Sequence, residues 1–143
     1  ATTAAPSNPG LKATWYDFKG KTCAEIAAAP VKNTYRVEDV TIPRGVKSYI
    51  IGLTYKGYIN IPEDGIYSFY LSSDDGSMLY IDGKQVIDND GLHAPGEVTG
   101  QAALKQGYHP IEVQYFDHGG GSINLKVCDN NGKEMPFTYL YAH

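Results

Sequence analysis

A chain of 143 residues is long enough for one domain with one core, and its 42% hydrophobic and 20% charged residues fit a globular fold. The net charge of −4, with no run of Lys or Arg, argues against nucleic acid, because displacing counterions from phosphates takes a concentrated basic patch. No apolar run approaches the roughly 20 residues of a membrane-spanning helix, and neither a basic amphipathic helix nor a signal peptide is visible.

Sixteen Gly and eight Pro imply many turns, and twelve Tyr against four Phe suit half-buried strands and ligand-facing surfaces. Ala1 to Gly10 holds only small, polar and Pro residues, a linker or tail composition that points to something upstream. The folded domain is expected over 11–143. Leu11 to Phe18 alternates with period two, the mark of a half-buried strand. Thr22-Cys-Ala-Glu25 fits a capping box, and Ala24 to Ala29 is the one short helix expected. Val37, Val40 and Ile42 suggest a short extended segment ended by Pro43.

The remainder reads as strands: Leu53–Ile61, Ile66–Leu71, Ser77–Ile81, Lys84–Ile87, Glu97–Leu104, Tyr108–Phe116, Ile123–Val127 and Phe137–Tyr141. Asp82-Gly83 between two short apolar strands is a strong hairpin signal, because both turn residues need positive φ. Pro110 marks an edge or a bulge. About nine short antiparallel strands with at most one short helix argue for an all-β sandwich or barrel. Cys23 and Cys128 show no CxxC spacing. A disulfide stays open, two free thiols being the plainer reading, and Cys128 falls on the polar side of its strand.

Gly57-Tyr58-Ile59, Pro62-x-x-Gly65-x-Tyr67-x-Phe69 and Ser73-Asp74-Asp75-Gly76-Ser77-x-Leu79-x-Ile81-Asp82-Gly83 form an ordered series of motifs. Val86-x-Asp88-Asn89, Leu104-x-x-Gly107-x-His109, Ile111-x-Val113-x-Tyr115 and Leu125-x-Val127 extend it. This series resembles the PA14 family over about half the chain. The resemblance implies a PA14-type β-barrel or sandwich, a module found in glycosidases, glycosyltransferases, toxins, proteases and adhesins. Several members are implicated in carbohydrate binding, and lectin-like members bind calcium. In that lectin branch the matching Asp-Asp pair is joined by a cis peptide and turns both carboxylates toward one Ca²⁺, which also holds sugar hydroxyls.

The resemblance thus implies Asp74, Asp75 and Asp117 as metal ligands; from their own chemistry Asn89 of the polar 88–93 loop is a candidate for bonding sugar hydroxyls, and His93 and His118 for stacking on a sugar face. A plain turn also accounts for Ser73–Gly76, Asp side chains bonding nearby backbone N–H groups and Gly supplying an unusual φ. The second loop, Asp117 to Ser122, offers one carboxylate where calcium lectins usually bring more Asn or Asp. Tyr80 is a further candidate for stacking on a sugar, whereas Trp15, Tyr67, Phe69 and Tyr115 read as core. The three consecutive Gly at 119–121 lack the strand-loop-helix setting of a phosphate cradle.

Nothing supports catalysis in this chain. Adjacent Asp74 and Asp75 do not flank a scissile bond, no HExxH spacing exists, and no GxSxG occurs. The expectation is a non-catalytic carbohydrate-binding module of a larger secreted, periplasmic or cell-surface protein, with a glycan and an upstream catalytic domain as partners. By resemblance the parent is a bacterial glycoside hydrolase. The alternative is a structural accessory domain that packs on such a hydrolase and binds nothing itself.

Overall fold

The computed structural model describes residues 8–18, 20, 22–37, 40, 50–90, 96–118, 123–134 and 139–141. In chain order the strands are β1 (Asn8–Pro9), β2 (Leu11–Tyr16), β3 (Val31–Val37), β4 (Ile50–Ile61), β5 (Gly65–Ser73) and β6 (Ser77–Ile81). There follow β7 (Lys84–Asn89), β8 (Gly96–Leu104), β9 (Gly107–His118), β10 (Ile123–Cys128) and β11 (Tyr139–Tyr141). A 3-10 helix, Cys23–Ala28, separates β2 from β3. Among the described residues nine strands have five residues or more; β3 and the short β1 are additions to the expected set, whose last strand, Phe137–Tyr141, is described over Tyr139–Tyr141 as β11.

Pairing is antiparallel throughout. The larger sheet runs β1-β11-β4-β9-β6-β7, with β2 also on β4 and β3 on β2; the smaller runs β10-β5-β8. β4 accommodates three partners because it is long: β9 lines one edge, while β2 takes Gly52–Lys56 and β11 takes Tyr58–Ile59 on the other.

The core lies between the sheets. Period-two alternation turns Leu53, Tyr55, Ile59 and Ile61 of β4, and Ile111, Val113 and Tyr115 of β9, toward Tyr67, Phe69 and Leu71 of β5. Full burial of a ring such as Phe69 contributes roughly 1.5–3 kcal/mol. A second cluster covers the other face of the larger sheet, where Phe18, Cys23 and Ile26 pack on Met78 and Phe116. Phe18 and Phe116 meet at 5.4 Å with planes tilted by 58°. Gly52 makes room for this layer, since a Cβ there would stand 2.8 Å from that of Phe18.

Several local expectations change. The Thr22 hydroxyl bonds Glu25 Oε1 at 3.0 Å instead of capping the backbone, and the first N–H of the helix, that of Cys23, donates to Asp90 Oδ1 at 2.8 Å. Of the extended segment read from Val37, Val40 and Ile42, Val37 ends β3 and Val40 is buried, while Ile42 and Pro43 lie outside the described residues. β3 is mostly exposed on its sheet edge, so it carries little apolar alternation. Pairing also begins within the expected linker, where Asn8 and Pro9 face Tyr141 and Leu140. Cys128 follows Asn124 and Lys126 on the polar side of β10 yet is buried, at the point where the chain returns to bridge it at Glu134. Both cysteines are free.

The Asp82-Gly83 hairpin forms as expected, with φ of 56° and 76°. Buried His109 fixes it, with Nδ1 at 2.9 Å from the Asp82 carboxylate and Nε2 at 2.6 Å from the Lys105 carbonyl. Pro110 sits inside β9 where the β6 pairing stops at Ile81↔Ile111. Its carbonyl accepts from Asp82 N–H at 3.0 Å, so it faces the hairpin turn and its missing N–H costs no ladder bond to β4.

The sheets meet closely where β7 leans on β8. A Cβ on Gly100 would stand 2.3 Å from the Val86 carbonyl oxygen. Gly100→Ala is expected to destabilise the domain by about 1–3 kcal/mol, read as a lower urea midpoint at unchanged m-value.

Candidate functional site

The turn between β5 and β6 is Asp74-Asp75-Gly76, and the Asp74–Asp75 peptide is cis. The turn is tied to the end of β9 by main-chain bonds, Asp75 N–H to Phe116 O at 3.1 Å and Phe116 N–H to Gly76 O at 3.0 Å. Asp117 is the next residue of β9 and is buried. Carboxylate oxygens of Asp74, Asp75 and Asp117 therefore lie within 4.8 Å of one another. Two oxygens that share a Ca²⁺ at about 2.3–2.6 Å can stand no further apart than about 4.6–5.2 Å. The three carboxylates thus fit a hard divalent cation, whose charge offsets their mutual repulsion.

Buried hydroxyls and one amide hold the turn from below. Ser73 Oγ donates to Asp75 O at 2.8 Å and lies 2.6 Å from Ser77 Oγ. Asn89 Nδ2 donates toward Gly96 O at 3.1 Å, Ser73 Oγ at 3.3 Å and Leu71 O at 3.4 Å, joining three strands under the turn. Tyr115 donates its phenol to Asp74 O at 2.9 Å. Burial, then the charges of Asp117, Asp74 and Asp75, push that phenol well above its ordinary value.

With this geometry in view, the family model for the PA14 domain matches residues 7–139. The chain belongs to the PA14 domain family. It is 36% identical over 77 residues to a beta-hexosaminidase of Porphyromonas gingivalis, a match covering 53% of this chain and 9% of that protein. It is 41% identical over 68 residues to an alpha-agarase of Thalassotalea agarivorans, covering 48% of this chain and 4% of that protein. Both relatives are far longer than this PA14 domain. Among solved structures, the PA14 sugar-binding domain from an RTX adhesin superposes with a TM-score of 0.79 at 18% identity, covering 96% of this chain and all (100%) of that one. The shared fold is that of a non-catalytic module, carbohydrate-binding or accessory.

In this PA14 domain the fold brings Asp74, Asp75 and Asp117 together. Asn89 lies beside them, with its amide nitrogen committed to the strands. Asp88 closes a turn, accepting from Asp90 N–H at 3.1 Å. His93 lies outside the described residues, as does the 119–122 loop; His118 ends β9 opposite Ile50, and its side chain is also outside them. Positive φ does not occur at Gly76, contrary to the simple turn expectation. Tyr115 is the contributor that sequence reading assigned wholly to the core. It is fully buried, and only its hydroxyl reaches the turn.

Burial raises the Cys23 thiol and the Tyr55, Tyr67, Tyr80 and Tyr115 phenols above their ordinary values of 9.0 and 10.0. Each group holds its proton more tightly folded than unfolded. Its contribution is complete below the unfolded value and is lost as pH climbs toward the higher folded one. The part of the unfolding free energy that these groups supply is expected to be level up to about pH 9 and to fall above it. Tyr115→Phe costs about 1 kcal/mol at neutral pH and makes the alkaline decline shallower, as urea titrations at a series of pH values will show.

Proposed function

We propose that this PA14 domain is a calcium-dependent glycan-binding module of a larger extracellular glycan-acting protein. The observation that carries the reading is the convergence of three carboxylates on one small volume, in a family with sugar-binding members. Asp74, Asp75 and Asp117 are the residues that would hold the cation. Bound there, calcium would supply open coordination positions for sugar hydroxyls. The chain's own work is to fix the carboxylates through the Ser73, Asn89 and Tyr115 hydrogen bonds and to offer neighbouring polar groups for the sugar's orientation.

The relatives named a hexosaminidase and an agarase support a glycoside hydrolase as the parent, with this domain raising the local concentration of glycan around the catalytic part. On this reading the protein works outside the cytoplasm, secreted, periplasmic or at the cell surface. No helix among the described residues is long and apolar enough to cross a membrane. A purely structural accessory role calls for a contiguous apolar docking patch. Among the described residues the exposed large hydrophobics are Val31 and Ile66, which sit on different sheets.

Calorimetric titration of Ca²⁺ into metal-stripped protein tests the reading. Saturable binding is expected with a Kd of about 10⁻⁴–10⁻³ M, the range of extracellular modules, and is abolished in Asp74→Ala and Asp75→Ala. A glycan array probed with and without EDTA should then show chelator-sensitive binding. Absence of calcium binding in the unaltered protein overturns the calcium mechanism.

A further inference from the structure

The larger sheet has a second surface, away from the aspartate turn. Its outward face carries a groove of about 580 Å³ lined by Lys12, Lys56, Tyr58, Tyr80, Glu112 and Gln114. That volume lies inside the range of about 300–1,000 Å³ common for ligand sites. The groove owes its composition to strand register. Lys12 faces Lys56 across β2 and β4, Lys56 faces Glu112 across β4 and β9, and Glu112 faces Tyr80 across β9 and β6. One row of side chains thus crosses four strands, roughly 14 Å at the usual strand spacing. On the other side of Lys12 the row continues to Arg36 of β3. Tyr58 stands two residues from Lys56 on the same face, and Gln114 donates to Glu112 Oε2 at 2.8 Å.

The row places three cations side by side in a chain whose net charge is −4. Like charges directly opposite on neighbouring strands destabilise a sheet, and an anion seated between them removes that penalty. Glu112 ends the basic stretch, so the anionic groups of a ligand belong at the Arg36–Lys12–Lys56 end of the row. Glu112 instead accepts hydrogen bonds from hydroxyls, and the half-buried rings of Tyr58 and Tyr80 offer apolar surface with a polar tip. Hydroxyls, apolar ring faces and negative charge occur together in an acidic sugar. We propose that this groove is a second binding site, taking an oligosaccharide whose rings carry carboxylate or sulfate groups. The site extends the glycan reading to another surface and needs no cation.

The test is calorimetry in EDTA, which silences any calcium-dependent site. The probes are an oligogalacturonate and a sulfated oligosaccharide, with a neutral oligosaccharide of equal length and a glutamate hexapeptide as controls. At least one acidic sugar is expected to bind about tenfold more tightly than either control, the equivalent of one charge-assisted contact. Which of the two binds assigns the anionic group. The double variant Lys12→Gln/Lys56→Gln, altered at two exposed positions, should lose about tenfold or more in affinity. Asp74→Ala/Asp75→Ala should leave that affinity unchanged, which separates this site from the aspartate turn. The proposal is overturned if neither acidic sugar binds, if binding survives the lysine replacements, or if it is lost in the aspartate variant. Equal binding of the hexapeptide also overturns it, making the groove a surface for acidic peptides.

Discussion

All 12 residues of β4 pair with the 12 of β9, from Ile50↔His118 to Ile61↔Gly107. Because side chains alternate across a strand, that one register decides three things together. Tyr115 points into the core, Phe116 points out to the cluster under the 3-10 helix, and Asp117 stands at the level of the Asp74–Asp75 turn. A slip of one residue would exchange the two faces, burying Glu112 and Gln114 and expelling Val113 and Tyr115. The penalty for burying an unpaired carboxylate holds the ladder in place.

The aspartate turn shows how a fold concentrates negative charge without leaving its supports unsatisfied. Ser73, Ser77, Asn89 and Tyr115 are buried or half-buried polar groups, and each has a hydrogen-bond partner within the turn or the strands beneath it. Partnered in this way, they rigidify the loop instead of loosening it. The carboxylates themselves are held close by backbone geometry, through the main-chain bonds of Asp75 and Gly76 to Phe116. Preorganisation of this kind lowers the ordering cost that ligand binding would otherwise carry.

β9 serves two surfaces at once. Its C-terminal end supplies Asp117 to the turn, while its outward alternation supplies Glu112 and Gln114 to the groove on the sheet face. The two surfaces differ in charge, one built from three acids and the other from lysines around a single acid. His109 and Asp82 stabilise the hairpin that borders the groove, so that Gly83 and Pro110 form part of its wall.

The sequence by itself determined the strands with strong alternation, since inward Tyr67, Phe69 and Leu71 alternate with more exposed neighbours. It also determined the Asp82-Gly83 hairpin, because few residue pairs accept positive φ twice in succession. The Asp74–Asp75 pair was legible through its motif. Only the tertiary structure decided what depends on contacts between distant segments. β3 stayed hidden because an exposed edge strand carries little apolar pattern, and Asp90 as partner of the helix start because it lies 67 residues from Cys23. The Arg36–Lys12–Lys56 row was invisible for the same reason: no run of basic residues exists in the chain, and cross-strand register alone brings these three together.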